Sequence, residues 1–336
     1  MHTKVAVIGA GSWGTAVAAL AAHNTATVLW ARRPELAAEI ASSHTNPTYL
    51  DGFSLPEALQ ATSSLEEAVA EAAVVVMGVP SHGFRDVLEE LRPLVRPDVP
   101  FVSLTKGVEQ GSLLRMTEIV DELLPGHPRG VLTGPNLAKE VLSGFPAASV
   151  VSMTDPEIAV ELQRIFSTDV FRVYTNPDTT GCEVAGALKN VMAIASGMAD
   201  GLGFGDNTRA ALITRGLAEL TRLGIALGGQ PLTFSGLAGM GDLVATCISR
   251  QSRNRHVGEE LGRGQTLEEI IAAMNMVAEG VKTSRAVVEL AERVGVEMPI
   301  AQQVVAVLYG GRRAVEVIPA LMSRQAKPEL HGIARP

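Results

Sequence analysis

Short runs of Val, Ile and Ala recur through the first half of the chain, separated by stretches in which apolar residues return every three or four positions. "KVAVIG", "TATVLWA", "AAVVVMGVP", "VPFVSL", "RGVLTGP", "AASVVSM" and "VFRVY" are each brief and almost continuously apolar, the pattern of strands buried on both faces. The stretches between them read as amphipathic helices, so the alternation predicts parallel strands joined by helices. After Asn176-Pro177 the texture changes to helical periodicity broken by Gly, Pro and Ser, with no strand alternation through residue 330. The expected organisation is an α/β domain over 1–177 and an all-helical domain over 178–336, with "RQAKPELHGIARP" as an irregular tail. "GLAGMG", at 236–241, has the wrong glycine order for a nucleotide loop and reads as a tight turn.

"VAVIGAGSWG" puts Gly9, Gly11 and Gly14 in G-x-G-x-x-G spacing between a strand and the helical run "TAVAALAAH". That context is what the dinucleotide fingerprint requires. The first glycine makes the tight turn, the second admits the pyrophosphate, and the third lets the helix pack closely. The helix N-terminus attracts the phosphate charge. The α/β half is therefore read as a Rossmann-like, doubly wound sheet. Its second strand ends in Arg32-Arg33-Pro34, where an NAD-selective fold carries an acid for the ribose hydroxyl. Two arginines suit a 2′-phosphate instead, so NADP is favoured, with NAD as the alternative; Arg33 could equally begin the next helix in solvent.

Composition narrows the partners. With 28 Lys plus Arg against 36 Asp plus Glu, the net charge of −8 argues against nucleic acid and anionic membrane, and any anionic ligand needs a local basic pocket. Hydrophobic residues make up 46% of the chain but aromatics only 4%, so the core must be aliphatic. Cys182 and Cys247 form neither a disulfide framework nor a metal-ligand spacing, which points to a reducing, cytoplasmic setting with no metal. Gly9, Gly11 and Gly14 interrupt the only signal-like run, and no stretch reads as long and apolar enough to span a bilayer, so no stable membrane insertion is expected.

"CEVAGALKNVMAIAS" strands one lysine in an apolar helix. Val184, Leu188, Val191, Ala195 and Met198 share one stripe, whereas Lys189 lies on the opposite side among Cys182, Ala185, Gly186, Ala193 and Ser196. Small neighbours would let a substrate approach, and a poorly solvated ammonium sheds its proton readily, which suits proton transfer. Snorkelling, or pairing with a buried acid, is the structural alternative. "SRQSRNRH" gathers Arg250, Arg253, Arg255 and His256 with Ser252 and Asn254 and no acid, a phosphate clamp or else an exposed basic loop or helix C-terminus. "TKG" and "GPN" follow strands, where ligands of doubly wound sheets bind; Lys106 there is an anion-binding candidate or a surface lysine.

In this order, "GAGSWGTAVA", "TKGVE", "GPNLAKEV", "ALKNVMAIASGMADGLGFGDNTRAALITRGLAE", "GLAGMGDLVATCISRQSRNRHVGEELGRG" and "VAEGVKTSRAV" together resemble the bacterial NAD(P)-dependent glycerol-3-phosphate dehydrogenase family over nearly the whole chain. The resemblance implies an oxidoreductase that interconverts dihydroxyacetone phosphate and sn-glycerol 3-phosphate for glycerophospholipid synthesis, and a homodimer. It makes Lys189 the proton carrier. It assigns cofactor contacts to Ser12, Trp13, Arg32, Lys106, Ala138, Arg253, Val277 and Glu279, and substrate contacts to Lys106, Gly134, Asn136, Lys189, Asp242, Ser252, Arg253 and Asn254. Asp242 would position substrate or lysine, or else cap the helix that follows. Asn136, Thr105 and Cys182 depart from the family pattern, and none of these departures removes a charged group.

Overall fold

The computed structural model describes residues 3–274, 278–329 and 331–333. The chain forms two compact units, Met1–Thr105 with Leu114–Thr179, and Lys106–Leu113 with Thr180–Pro336.

The first unit is built on eight strands: β1 (Lys4–Ile8), β2 (Ala26–Trp30), β3 (Leu59–Thr62), β4 (Val74–Met77), β5 (Phe101–Ser103), β6 (Arg129–Thr133), β7 (Ala147–Met153) and β8 (Phe171–Asn176). Their order across the sheet is β8-β7-β6-β5-β4-β1-β2-β3. Strand order reverses at β1, which lies between β2 and β4, and such reversals are where open α/β sheets bind ligands. Side chains alternate between two apolar layers. Val5, Val7, Leu29, Val76 and Val102 lie in one core, with α1 (Ser12–Ala22) among its neighbours. Ala6, Ile8, Val28, Val75 and Met77 lie in the other, which is why the central strands read as unbroken apolar runs.

Two features were not expected, an additional strand and a reversed one. β3, "LQAT", is an added edge strand parallel to β2. β7 runs antiparallel to β6, although parallel to β8. The segment between β6 and β7 contains one helix, α2 (Ala138–Leu142), of only five residues. At 1.5 Å per residue it covers about 8 Å, half the length of a five-residue strand, so it does not carry the chain back to where β6 began. β7 therefore starts where β6 ends.

The second unit is helical. Its centre is α3 (Thr179–Gly201), buried without interruption from Gly181 to Ala199. Around it lie α4 (Asp206–Ala226), α5 (Asp242–Ile248), α6 (Arg253–Gly262), α7 (Glu279–Arg293), α8 (Pro299–Tyr309) and α9 (Val317–Met322). The expected division of α3 into a core face and an open small-residue face does not hold. Ala185 and Ala193 join Val184, Leu188 and Val191 in one core cluster. Further along α3, two glycines serve a close helix crossing. A Cβ on Gly197 would lie 2.0 Å from the Arg255 carbonyl oxygen, and one on Gly258 would lie 2.0 Å from that of Ile194. One turn further along each helix, a Cβ on Gly201 would lie 2.1 Å from the Glu259 carbonyl oxygen and one on Gly262 would lie 2.5 Å from that of Met198. Four-residue spacing puts each pair on one side of its helix, so the backbones of α3 and α6 touch.

Residues 106–113, placed in the first domain by the sequence reading, belong to the second unit, where Val108 and Leu113 pack with Ala187, Ala286 and Leu290. One run, Pro231–Ile248, does have the length and mean hydropathy of a membrane span, contrary to expectation. It folds as a short helix (Pro231–Phe234), a π-type turn (Leu237–Gly241) and α5, and its Asp242 is held in an ion pair with two lysines. "GLAGMG", read as a tight turn, instead forms this wider π-type turn running directly into α5. The C-terminal segment is irregular but tethered, because Arg324 and Lys327 both pair with Glu297.

Candidate functional site

In the first unit, the glycine turn leads from β1 into α1. Gly9 has φ +119°, and a Cβ there would lie 2.6 Å from the Gly78 carbonyl oxygen; one on Gly14 would lie 2.0 Å from that of Gly9. At Gly11, by contrast, a Cβ would meet nothing within 4 Å. Gly11 is the N-cap of α1, which has no capping side chain and no acid in its first turn. The first N–H groups of that helix thus face open space at its positive end. A pyrophosphate fits such a cradle. Trp13 packs against Phe171, ring centroids 6.3 Å apart, and its indole Nε1 is buried without a hydrogen-bond partner. Ser12 donates to the Tyr49 carbonyl.

Beyond β2, Arg32 is exposed. Arg33 caps the next helix, donates to Thr48 Oγ1 at 3.2 Å and lies over the Tyr49 ring. Arg32 is accordingly the better placed of the two for a 2′-phosphate. After β6, Gly134 takes φ +148°, and Asn136 uses both ends of its amide on β7: Nδ2 donates to the Ala148 carbonyl and Oδ1 accepts from Ser149. Asn136 therefore fastens the turn to the sheet. Ala138 is the first residue of α2.

The second unit gathers the charged groups. Lys189, 7% exposed, donates to Asp242 Oδ1 and to Thr246 Oγ1 at 2.5 Å. The other carboxylate oxygen, Oδ2, accepts from Lys106 at 2.6 Å. Asp242 is 1% exposed and opens α5, but its carboxylate is spent on two ammonium groups rather than on a cap. Thr246, one turn later, donates to the Asp242 carbonyl. Burial lowers the Lys189 pKa to about 8; Asp242 opposes the shift and Lys106 adds to it. Burial pushes the neighbouring Cys247 thiol up to about 12, which leaves it protonated and inert. Lys189 can thus change protonation near neutrality, as the poor solvation of its surroundings anticipated, because burial outweighs the opposing charge of Asp242. Among the described residues no group of three or more His, Cys, Asp or Glu is placed to hold a metal ion.

Two asparagines adjoin this cluster. Asn190 donates to the Lys106 carbonyl at 3.4 Å, and Asn254 accepts from the Gly280 N–H at 2.9 Å. A Cβ on Gly280 would lie within 2.8 Å of both Asn254 Oδ1 and the Asn190 carbonyl oxygen, so only glycine admits this junction beside Glu279. Ser252 caps α6 by accepting from the Arg255 N–H, and Arg253, exposed, is the first residue of that helix.

Arg255 does not join a phosphate clamp. Its guanidinium donates to Asp200 at 2.8 Å and to Glu259 at 3.1 Å, and Arg209 holds the other Asp200 oxygen at 2.7 Å. This network and the glycine crossing fix α6 against the end of α3. Arg250 and His256 are exposed. Val277 lies outside the described residues. Of the expected site residues, then, Lys106, Lys189 and Asp242 come together in one cluster, while Ser252, Arg253 and Asn254 open α6. Thr246 was missed, though its place four residues after Asp242 on one helix face was a readable signal.

A reversing parallel sheet with a glycine pyrophosphate cradle, followed by a helical unit with a buried, acid-paired lysine, defines a nicotinamide-dependent dehydrogenase. Family comparison is more specific. Residues 4–159 match the N-terminal domain of NAD-dependent glycerol-3-phosphate dehydrogenase and residues 178–319 match its C-terminal domain; the chain belongs to this family. It is 57% identical to glycerol-3-phosphate dehydrogenase [NAD(P)+] 2 of Sphingopyxis alaskensis over 98% of this chain and 99% of that one. Identity to the Mycobacterium avium enzyme is 52%, covering 98% and 97%. The crystal structure of the Coxiella burnetii glycerol-3-phosphate dehydrogenase superposes with a TM-score of 0.92 at 37% identity, covering 96% of this chain and 99% of that one. The protein is an NAD(P)-dependent oxidoreductase.

Proposed function

We propose that the chain catalyses the reversible reduction of dihydroxyacetone phosphate to sn-glycerol 3-phosphate, with NADPH preferred, as a cytoplasmic homodimer supplying glycerophospholipid synthesis. The observation that carries this reading is the buried Lys189–Asp242–Lys106 cluster with Thr246. An ammonium has three N–H donors, and Asp242 and Thr246 take two from Lys189. The third is available to a ketone oxygen. Bound NADPH would supply hydride to the carbonyl carbon. As negative charge develops on the oxygen, Lys189 stabilises it and transfers its proton, and in the oxidative direction the neutral amine takes the alcohol proton back.

Two ammonium groups on one carboxylate leave a local positive charge in a chain of net charge −8, which suits a phosphorylated substrate. Arg253, Ser252 and Asn254, at the N-terminus of α6, are the phosphate ligands in this reading, and Lys106 adds a second cation. Arg32 supports the NADP preference. The test is Lys189→Ala, assayed by loss of NADPH absorbance with dihydroxyacetone phosphate. Turnover should vanish while NADPH binding and the melting temperature persist. A fully active variant sinks the mechanism, and activity on 2-keto or 3-keto acids instead would overturn the substrate.

A further inference from the structure

We propose that the helical unit carries a second ligand site, a cavity of about 1040 Å³ bounded by α4, the turn before α8, α9 and the C-terminal segment, which takes an aliphatic carboxylate. It shares no residue with the Lys189 cluster. Its size is that of a small-molecule site. Its apolar lining comes from Ala211, Leu212, Ile225, Ile300, Ile318 and Leu321, enough to receive a hydrocarbon body.

The charges around that lining do not balance. Arg215, Arg222, Arg324 and Lys327 all border the cavity. Glu297 is shared between Arg324 at 2.9 Å and Lys327 at 2.7 Å. Among the described residues the other two arginines donate to backbone carbonyls, Arg215 to that of Glu329 at 3.1 Å and Arg222 to that of Glu297 at 3.4 Å. Glu329 and Glu219 also border the cavity; Glu329 is exposed, whereas Glu219 is 2% exposed and both its oxygens accept backbone N–H groups, from Ile300 at 2.8 Å and Ala301 at 3.3 Å. Burial lowers the Arg222 pKa; Glu219 and Glu297 pull it back up, while Arg215 and Arg324 lower it further. An acidic protein with cations in surplus over an apolar floor is suited to an anion with an aliphatic tail.

Decanoate is the probe, measured by titration calorimetry and by the shift in melting temperature, against decanol, which has the tail alone, and acetate, which has the head alone. Decanoate should bind with one-to-one stoichiometry, about tenfold or more tighter than either control. The pair Arg222→Gln with Arg324→Gln should reduce its affinity to that of decanol. Ala211→Trp, which keeps every charge but fills an exposed part of the lining, should abolish binding; circular dichroism checks that both variants fold. The site is refuted if decanol binds as well as decanoate, if both variants bind normally, or if sedimentation shows a second copy of the chain covering this face and decanoate excluded. None of these outcomes bears on Lys189, so the dehydrogenase reading stands or falls separately.

Discussion

Replacing Asp242 by Asn keeps the shape of the site and removes the one carboxylate shared by Lys189 and Lys106. Two buried or half-buried ammonium groups are then left with only neutral partners. Asp242 is the main influence opposing the desolvation that lowers the Lys189 pKa to about 8. An opposite charge within hydrogen-bond distance is typically worth ~1–3 pKa units, so without it the Lys189 pKa should fall to roughly 5–7. At pH 7 the ammonium fraction then drops from about nine-tenths to about one-half or less.

The signs for catalysis follow from which form each direction needs. Reduction uses the ammonium, so its kcat/KM should decline as pH rises through about 8 in the parent enzyme, and the decline should come ~1–3 units lower in Asp242→Asn. Oxidation uses the amine, and its rising limb should move down by the same amount. Lys106→Met is the control of opposite sign: it removes the neighbouring cation, so the limb should move up even though loss of a substrate contact raises KM. Profiles measured from pH 5 to 10 in both directions, with melting curves to verify folding, decide the matter. A limb that stays put in Asp242→Asn, or moves the same way in both variants, refutes the charge-coupled lysine.

Gly258→Ala should destabilise the protein by ~1–3 kcal/mol or more in a denaturant titration, because its Cβ would meet the Ile194 carbonyl at 2.0 Å; a gain in stability, the usual result at an exposed helical glycine, would show that the crossing can relax. Burial raises the Glu219 pKa from 4.5 to about 7. A carboxyl that binds its proton more tightly when folded contributes stability that is complete below pH 4.5 and lost as pH rises through 7, about 3 kcal/mol in all. Glu219→Gln should therefore flatten the stability curve between pH 5 and 8, and an unchanged slope would assign that slope to other groups.

What a sequence reveals of this fold depends on what a residue pattern encodes. Strands buried on both faces in a parallel sheet are apolar at every position, and β1, β2, β4 and β5 were legible for that reason. The edge strand β3 places only Leu59 in the core and carries too little pattern to be read. Strand direction leaves no mark on periodicity, so the reversal of β7 appears only once the five-residue helix before it is seen to be too short for a crossover. Lys189 and Asp242 stood out as charges in apolar surroundings. The partner of Arg255 did not, because Asp200 lies 55 residues away and becomes a neighbour only through the α3–α6 crossing. The loop bearing Lys106 was likewise assigned by chain order, whereas its membership of the helical unit depends on long-range packing of Val108 and Leu113.

Ala185 and Ala193 beside Lys189 are core packing, and the close approach that small residues permit occurs two to three turns later on α3, at Gly197 and Gly201. Glycine inside a helix costs roughly 0.5–1 kcal/mol relative to alanine, and α3 and α6 each place two at the crossing. What they gain is contact between backbones, which leaves neither helix free to slide or roll against the other. Lys189 lies two turns before Gly197 on α3, and Arg253 lies at the start of α6, ahead of Gly258. The Asp200–Arg255 pair locks the same two helices from the side, and the Asn254–Gly280 hydrogen bond ties the start of α6 to α7. The lysine and the arginine proposed to hold phosphate are thereby mounted on one rigid piece, and their separation is set by packing rather than by loops. Proton transfer needs that precision, because a misplacement of 1 Å can cost about a hundredfold in rate.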